Sequence, residues 1–221
     1  MRFVLLGLPG SGKGTQGTLL AERFGVPHIA TGEIVRDHIA RGTEFGRKVE
    51  AAIAGGDFAP DSDILYWVYQ RLAADDVAQG YVLDGFPRDL AQAEEFERHN
   101  GRLGVRIDAV LDLIIPEEFL IERLIGRLVC PTCDESYHIV RRPPARDGIC
   151  DRDGTPLSRR LDDEPSAIKR RFDVYNAVTL PLRDYYRSRG LLAEIDAVGP
   201  PEEVYARILL AIADRKRETL G

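Results

Sequence analysis

The 221-residue sequence contains few lysines and few sulfur-containing residues. Only four of its 30 basic residues are lysines (Lys13, Lys48, Lys169 and Lys216), and it has three cysteines and one methionine. The 36 acidic residues outnumber the basic ones, and the net charge of −6 disfavours a general nucleic-acid-binding protein, which would carry excess positive charge. Because arginine is the default basic residue here, a single arginine carries little information, whereas a retained lysine carries more.

A long hydrophobic run is also missing. No apolar segment approaches the roughly 18 residues that a bilayer-spanning helix needs. The short apolar run at residues 2–6 is not followed by the small-residue cleavage pattern of a signal peptide. Hydrophobic residues still make up 44% of the chain, which is enough to form a buried core at this length. We therefore expect a cytoplasmic protein with neither a membrane nor a nucleic-acid partner.

The first motif joins a predicted strand to a predicted helix through a glycine-rich loop. Residues 2–6 (RFVLL) read as a short buried strand, and GLPGSGKGT (residues 7–15) leads into a helical stretch. Glycines let backbone N–H groups converge on phosphate oxygens, and Lys13 can reach the outer phosphates. The loop departs from GxxxxGK[ST], because Gly14 follows the lysine and the hydroxyl comes one residue later, at Thr15. The pattern predicts a nucleotide-phosphate site without identifying the reaction.

Two further motifs predict ligand contacts near this loop. In HIATGEIVR, a short strand precedes Thr31, which we expect to cap a helix that carries Arg36. In YVLDGFPR, a strand ends in Asp84 and a tight turn leads to Arg88, with Gln92 on the following helix. Ligands of parallel α/β sheets bind at the carboxyl ends of strands, and a carboxylate there can hold Mg²⁺ through water.

The remaining segments alternate between predicted strands and helices. Strands are predicted at 107–115 and 191–196, and helices at 116–128, 165–190 and 200–217, the second of them bent at Pro181. This alternation predicts an α/β fold with a parallel sheet covered by helices on both faces.

All three cysteines lie in one short segment, Cys130 to Cys150. Their odd number and the expected reducing compartment disfavour disulfides. Two of them form CPTC, and the third begins CDRD, so that Asp153 stands where a fourth cysteine would complete a zinc site. Carboxylates do ligate zinc, and four protein ligands would make the metal structural. The competing fourth ligands are His138, Asp147 and Asp151, and the remaining alternative is a relic site that binds no metal.

The motifs GLPGSGKGT, TGEIVR, DGFPR, GRLVC and RLDDEPSAIKRR, in this order, resemble those of adenylate kinases over nearly the whole chain. The resemblance implies a P-loop NTPase-type core formed by residues 1–29, 60–125 and 164–221. It also implies a nucleoside monophosphate-binding segment at 30–59 and a zinc-stabilised lid at 126–163. The implied reaction is the Mg²⁺-dependent transfer of a phosphoryl group from ATP to AMP, giving two ADP. The implied enzyme is a monomer whose lid excludes water on closure.

The resemblance also implies the residues that contact each nucleotide. Those implied for ATP are Gly10, Ser11, Gly12, Lys13, Gly14, Thr15, Arg123, Arg127, Ser136, Tyr137 and Gly199. Those implied for AMP are Thr31, Arg36, Asp57, Phe58, Ala59, Gly85, Phe86, Pro87, Arg88, Gln92, Arg160 and Arg171. The implied catalytic cations are Lys13, Arg88, Arg127, Arg160 and Arg171. From the residues themselves we expect Asp84 to hold Mg²⁺ through water, and Cys130, Cys133, Cys150 and Asp153 to hold zinc.

Two assignments within this set need a choice between neighbours. The RxDD pattern selects Arg160 over Arg159, and the spacing from Asp163 selects Arg171 over Arg170.

Three alternatives remain open from the sequence. A kinase of the same fold could use GTP as donor, or could accept UMP or CMP. The long lid disfavours the pyrimidine acceptors, and Thr31 and Gln92 favour adenine. The third alternative is a non-catalytic nucleotide sensor, which would have no need for this set of arginines.

Overall fold

A computed structural model describes residues 1–220, apart from the side chains at 216 and 218–220. Gly221, the last residue of the predicted core segment, lies outside the described residues. The central sheet contains β1 (Arg2–Leu6), β2 (His28–Ala30), β3 (Tyr81–Asp84), β4 (Ala109–Ile114) and β7 (Leu192–Asp196). The strands are parallel and lie in the order β2-β3-β1-β4-β7. The predicted parallel sheet is confirmed.

Helices cover both faces of this sheet. They are α1 (Lys13–Phe24), α2 (Thr31–Ala40), α3 (Glu44–Ala54), α4 (Asp61–Leu72), α5 (Leu90–Arg102), α6 (Glu117–Ile125), α7 (Pro165–Val174), α8 (Leu182–Ser188) and α9 (Pro201–Leu220). None of the helices within residues 1–220 combines the length and the apolar character needed to cross a membrane.

Side chains that alternate along the strands form two separate hydrophobic clusters. On one face, Phe3 and Leu5 of β1 belong to a cluster with residues of α1, α7 and α9. On the other face, Val4 and Leu6 belong to a cluster with residues of α2, α4, α5 and α8. Strands buried on both faces are continuous apolar runs, as RFVLL is, which is why the sequence pattern predicted them well.

The predicted long helix at 165–190 is interrupted differently from the prediction. A π-helical turn, Tyr175–Thr179, lies between α7 and α8 and precedes Pro181, where the bend was expected. Such turns insert one extra residue per turn and often occur at functional sites. The side chains of Tyr175 and Thr179 are buried by the turn and line the central cavity described below.

Residues 127–158 form a small substructure around a short antiparallel hairpin. Strands β5 (Arg127–Val129) and β6 (Ser136–His138) pair with each other, and Val129 also bridges to Ser158. The buried centre of this unit consists of Cys130, Tyr137 and Cys150. A centre with so few apolar side chains provides little hydrophobic stabilisation, because that term scales with the apolar area buried.

Candidate active site

The glycine-rich loop wraps around the amino group of Lys13. The Nζ atom donates hydrogen bonds to the carbonyl oxygens of Gly7 (2.7 Å) and Leu8 (3.0 Å). Gly12 has a left-handed backbone (φ +100°) just before α1 begins, a conformation that favours glycine. Burial lowers the pKa of Lys13, and the nearby Asp84 carboxylate opposes this effect. The loop thus has the features of a phosphate cradle: a buried lysine at the N-terminus of a helix.

A cavity of about 1310 Å³ lies above this loop and is lined by residues of the core, of residues 30–59 and of residues 126–163. Every residue implied for ATP lines it. Of those implied for AMP, eight line it: Arg36, Asp57, Phe58, Gly85, Pro87, Arg88, Arg160 and Arg171. The fold therefore brings most of the predicted site residues to a single cavity.

Thr31, Ala59, Phe86 and Gln92, also implied for AMP, do not line the cavity and are buried behind its wall. Thr31 was expected to cap α2, and this expectation is wrong: Ala30 holds the cap position, with no side-chain cap bond. The Thr31 hydroxyl instead donates to the carbonyl oxygen of Gly85 at 2.9 Å. This hydrogen bond ties the turn after β3 to the start of α2, which lies beside it.

Gln92 supports the same turn from α5. Its Oε1 atom accepts a hydrogen bond from the backbone N–H of Arg88 (2.9 Å), and its Nε2 atom donates to Asp61 (2.6 Å). The side chain of Asp89 caps α5 by accepting from the backbone N–H of Gln92. Thr31 and Gln92 therefore shape the wall around Arg88, and in this structure they do so from outside the cavity.

Several partly buried cations face the cavity. Burial, and then the neighbouring Arg127 and Arg36, lower the pKa of Arg160 to about 9. Burial and Arg171 lower the pKa of Arg88 to about 10, and its guanidinium lies 4.3 Å from the centre of the Phe58 ring. The Nε atoms of Arg36 and Arg160 are buried without a hydrogen-bond partner among the described residues. Crowded, desolvated cations with unused donors favour the binding of a polyanion.

Asp162 and Asp163 hold part of this cluster in place. Arg127 donates two hydrogen bonds to the two carboxylate oxygens of Asp163, from Nε at 2.8 Å and from Nη2 at 2.5 Å. Arg171 contacts Asp162 at 3.0 Å and Asp163 at 3.2 Å. Burial opposes ionisation of Asp162, but Arg171 and then Arg127 hold its pKa below the ordinary value. These carboxylates orient the arginines before any ligand arrives.

Replacing Asp163 should therefore destabilise the protein as well as loosen the site. The Asp163 side chain is 1% exposed, so Asp163→Asn leaves Arg127 buried without its charged partner. We expect the free energy of unfolding to fall by about 3 kcal/mol, measured by urea denaturation. The matched variant Asp173→Asn, on the same stretch of chain, should stay within about 0.5 kcal/mol of the parent. Equal stability of the two variants would contradict this role for Asp163.

The structure distinguishes between the neighbouring arginines. Arg160 and Arg171 line the cavity, whereas Arg159 and Arg170 are exposed. Arg170 instead forms a surface ion pair with Asp57 at 2.7 Å, which joins residues 30–59 to α7. The spacing in the sequence selected the arginine that faces the cavity in both cases.

A carboxylate suited to a hydrated magnesium ion lies beside the phosphate loop. Asp84 ends β3, is paired in register with Leu5 of β1, and lines the cavity with Lys13. His28 lies on the same side, its Nε2 atom 3.9 Å from Oδ2 of Asp84. Mg²⁺ prefers oxygen ligands and retains water, so a partly buried carboxylate that lines the cavity next to a phosphate cradle fits that ion.

The three cysteines and Asp153 converge on one point in the hairpin unit. Their candidate ligand atoms all lie within 4.8 Å of one another. The Sγ atoms of Cys133 and Cys150 are 3.6 Å apart, and Sγ of Cys130 lies 3.3 Å from Oδ2 of Asp153. Three sulfurs and one carboxylate at these separations fit a tetrahedral zinc ion, which is bound by thiolate and carboxylate ligands.

The competing fourth ligands are held elsewhere. His138 accepts hydrogen bonds at Nδ1 from the backbone N–H groups of Val140 and Arg141, both at 3.0 Å. Asp151 accepts one from the backbone N–H of Ala145 at 2.9 Å. Neither residue, nor Asp147, belongs to the group of converging ligand atoms. Among the described residues, the geometry therefore favours Asp153.

Sequence reasoning missed several residues that line the cavity. They include Glu33 on α2, Phe119 on α6, and Tyr175 in the π-helical turn. Glu33 lies within the TGEIVR motif and was open to prediction from it. Phe119 gave no distinctive signal, because an aromatic residue in an amphipathic helix more often packs in a core, yet it is 42% exposed. Tyr175 depends on a backbone irregularity that the sequence pattern does not reveal.

Comparison with known proteins is consistent with the geometry of this cavity. A sequence model of the adenylate kinase family matches residues 5–191. The adenylate kinase of Caldicellulosiruptor saccharolyticus is 44% identical over 220 residues, covering 100% of this chain and 97% of its own. Those of Anaeromyxobacter dehalogenans and Moorella thermoacetica are 45% and 46% identical, covering 93% and 96% of this chain and 96% of each relative. The chain belongs to the adenylate kinase family.

Proposed function

We propose that this chain catalyses the reversible, Mg²⁺-dependent transfer of the terminal phosphoryl group of ATP to AMP, giving two ADP. The observation that carries the proposal is a set of partly buried cations around one cavity that also contains the phosphate loop: Lys13, Arg36, Arg88, Arg127, Arg160 and Arg171. Phosphoryl transfer needs mainly positioning and charge stabilisation, and no side chain has to act as a covalent nucleophile. A cavity rich in oriented cations meets that requirement.

The two nucleotides would occupy opposite ends of the cavity. In this arrangement, the loop from Gly10 to Thr15 holds the phosphates of ATP, and Arg123, Arg127 and Gly199 lie on the donor side. Arg36, Arg88 and the backbone at 57–59 hold AMP. Arg160 and Arg171 lie between the two nucleotides and stabilise the charge on the transferred group. The exposed ring of Phe119 is suited to packing against the donor base, since it lines the cavity with Arg123.

Magnesium would bind on the donor side beside Asp84. When bound, it would neutralise part of the charge that develops on the phosphates during transfer. Asp84 would hold its water ligands, while Lys13 would contact the outer phosphates. Both residues line the same cavity, which supports this division of roles.

A zinc ion held by Cys130, Cys133, Cys150 and Asp153 would be structural. Four protein ligands leave no position for substrate. The ion would supply the stability that the small apolar centre of the hairpin unit does not. The unit can then move as a rigid body.

Two parts of the chain would close over the nucleotides: residues 30–59 over AMP, and residues 126–163 over ATP. Both line the cavity together with the core of residues 1–29, 60–125 and 164–221, and this supports a closed arrangement. Closure excludes water, which would otherwise accept the phosphoryl group in place of AMP. We further propose that the enzyme acts as a monomer in the cytoplasm.

The function is tested by measuring ADP formed from ATP and Mg²⁺ with each of AMP, GMP, CMP and UMP. We expect turnover with AMP and at least about 100-fold lower kcat/KM with the other acceptors, because a site that bonds one base leaves polar groups unpaired with another. Replacing ATP by GTP tests the donor. Turnover with UMP or CMP would reveal another kinase of this fold. Nucleotide binding without any turnover would support the sensor.

A further inference from the structure

An ion pair with a fully buried carboxylate lies next to the strand that leads into the phosphate loop, outside the set of residues that line the cavity. Asp112 of β4 is fully buried, and its Oδ2 atom lies 2.5 Å from Nε of Arg183 on α8. Beyond this ion pair with Arg183, neither carboxylate oxygen has another partner among the described residues. A buried carboxylate with spare acceptor capacity is costly, which calls for a reason beyond packing.

The position of Asp112 links this pair to the phosphate loop. Asp112 is paired in register with Leu6, the last residue of β1, and Gly7 follows directly. The carbonyl of Gly7 accepts the hydrogen bond from Lys13. The next residue, Leu113, packs so closely that a Cβ atom on Gly7 would lie 2.8 Å from its carbonyl oxygen. A shift in this part of β4 would therefore move the loop that holds the lysine.

The same pair contributes to the electrostatic environment of Lys13. Burial lowers the pKa of Lys13. The carboxylates of Asp84 and, more weakly, Asp112 raise this pKa, whereas the charges of Arg171 and Arg88 lower it. Burial raises the pKa of Asp112, and Glu194 on β7 raises it further. The positive charges of Arg183 and Lys13 lower the same pKa. The two strands that flank β1 therefore each present one carboxylate to the lysine, Asp84 from β3 and Asp112 from β4.

We propose that Asp112, held by Arg183, is a positioning residue for Lys13 in phosphoryl transfer. It acts through the end of β1 and through its charge, and it does not touch the nucleotides. The inference rests on the proposed function, since the lysine matters to the reaction only if the loop binds phosphate.

Four variants separate this role from a purely structural ion pair. Asp112→Asn leaves the partly exposed Arg183 without its partner, Arg183→Leu leaves the fully buried Asp112 carboxylate without its partner, and the double variant removes both charges. Val110→Ala, on the same face of the same strand and also fully buried, is the control for lost packing. Stability is followed by urea denaturation, and phosphoryl transfer by single turnover, because lid opening can limit kcat.

We expect Asp112→Asn to slow single-turnover transfer about tenfold, with KM for AMP within about twofold of the parent. The alkaline limb of the pH–rate profile should move to lower pH, because Lys13 loses a carboxylate that favours its charged form. The double variant should recover stability relative to Asp112→Asn but remain slow. Recovery of the rate together with stability would overturn the proposal, as would a loss no greater than that of Val110→Ala.

A measurement that needs no turnover keeps this inference separate from the proposed function. The chain has only four lysines, so their ¹³Cε resonances can be followed through a pH titration, with Lys13→Arg to assign the signal. We expect Lys13 to titrate at lower pH in Asp112→Asn than in the parent, while Lys48 and Lys169 stay unchanged. An unchanged Lys13 titration would overturn the inference. A parent protein without kinase activity would overturn the proposed function, and the titration would then still show whether Asp112 acts on Lys13.

Discussion

Replacing Arg160 by methionine should lower kcat by about 10³-fold or more, whereas the same change at its neighbour Arg159 should leave kcat within about twofold. Burial lowers the pKa of Arg160, and its Nε atom has no partner in the described residues, so its charge is available to a ligand. Arg159 is exposed and does not line the cavity. Steady-state ADP formation with saturating ATP and AMP measures the difference.

The adjacent pair on α7 provides an independent test of the same effect. Arg171→Met should lose a similar factor, while Arg170→Met should lose only the exposed ion pair with Asp57, which is worth less than about 1 kcal/mol. Thermal unfolding of each variant is the control for folding. If Arg159 and Arg160 proved equally important, the charge would act at long range, and the assignment of Arg160 to the transferred phosphoryl group would be wrong.

Cys130→Ser should abolish zinc binding and lower the midpoint of lid unfolding by roughly 20–40 °C. A structural zinc ion supplies on the order of 10 kcal/mol in small peptide sites, and each lost kcal/mol lowers Tm by about 2–4 °C in a chain of this size. Native mass spectrometry gives the metal content, and a fluorophore attached within residues 126–163 reports the local transition. Activity at low temperature should persist, because the ion touches no substrate.

The fourth ligand is tested with matched acidic residues from the same segment. Asp153→Asn should weaken zinc binding strongly, whereas Asp147→Asn, an exposed residue outside the ligand group, should bind zinc like the parent. His138→Gln tests the alternative ligand. Loss of zinc in His138→Gln with full retention in Asp153→Asn would overturn the Cys₃Asp site. Immediate loss of activity on chelation, reversed by zinc, would show that the metal does more than support the lid.

The sheet was predictable because parallel strands buried on both faces are short, continuous apolar runs bounded by glycine or charge. The converging ligands Cys130 to Asp153 were predictable for a similar reason: two tight turns of equal spacing bring their side chains together locally. The cation cluster was predictable only from whole motifs. A single arginine is uninformative in a sequence with so few lysines.

Features that depend on contacts between distant segments were not predictable. The sequence pattern predicts that Thr31 caps a helix. Its hydroxyl instead donates a hydrogen bond to the turn after β3, more than 50 residues away. The backbone of the π-helical turn places Tyr175 at the cavity. The spacing of apolar residues in the sequence does not indicate such a turn. The pairing of Asp112 with Arg183 joins a strand to a helix 71 residues later, and each residue taken alone resembles an ordinary surface charge.

The surface ion pair between Asp57 and Arg170 has a consequence for the way salt affects this enzyme. Its two side chains are 45% and 55% exposed, so dissolved ions screen their attraction. Because the pair joins residues 30–59 to α7, it holds the two segments together weakly, and its strength falls as the ionic strength rises. Where opening of this segment limits product release, moderate salt would speed turnover while weakening the retention of AMP. The ion pair would thus set a balance between turnover rate and retention of AMP, and this balance would vary with the ionic composition of the surrounding solution.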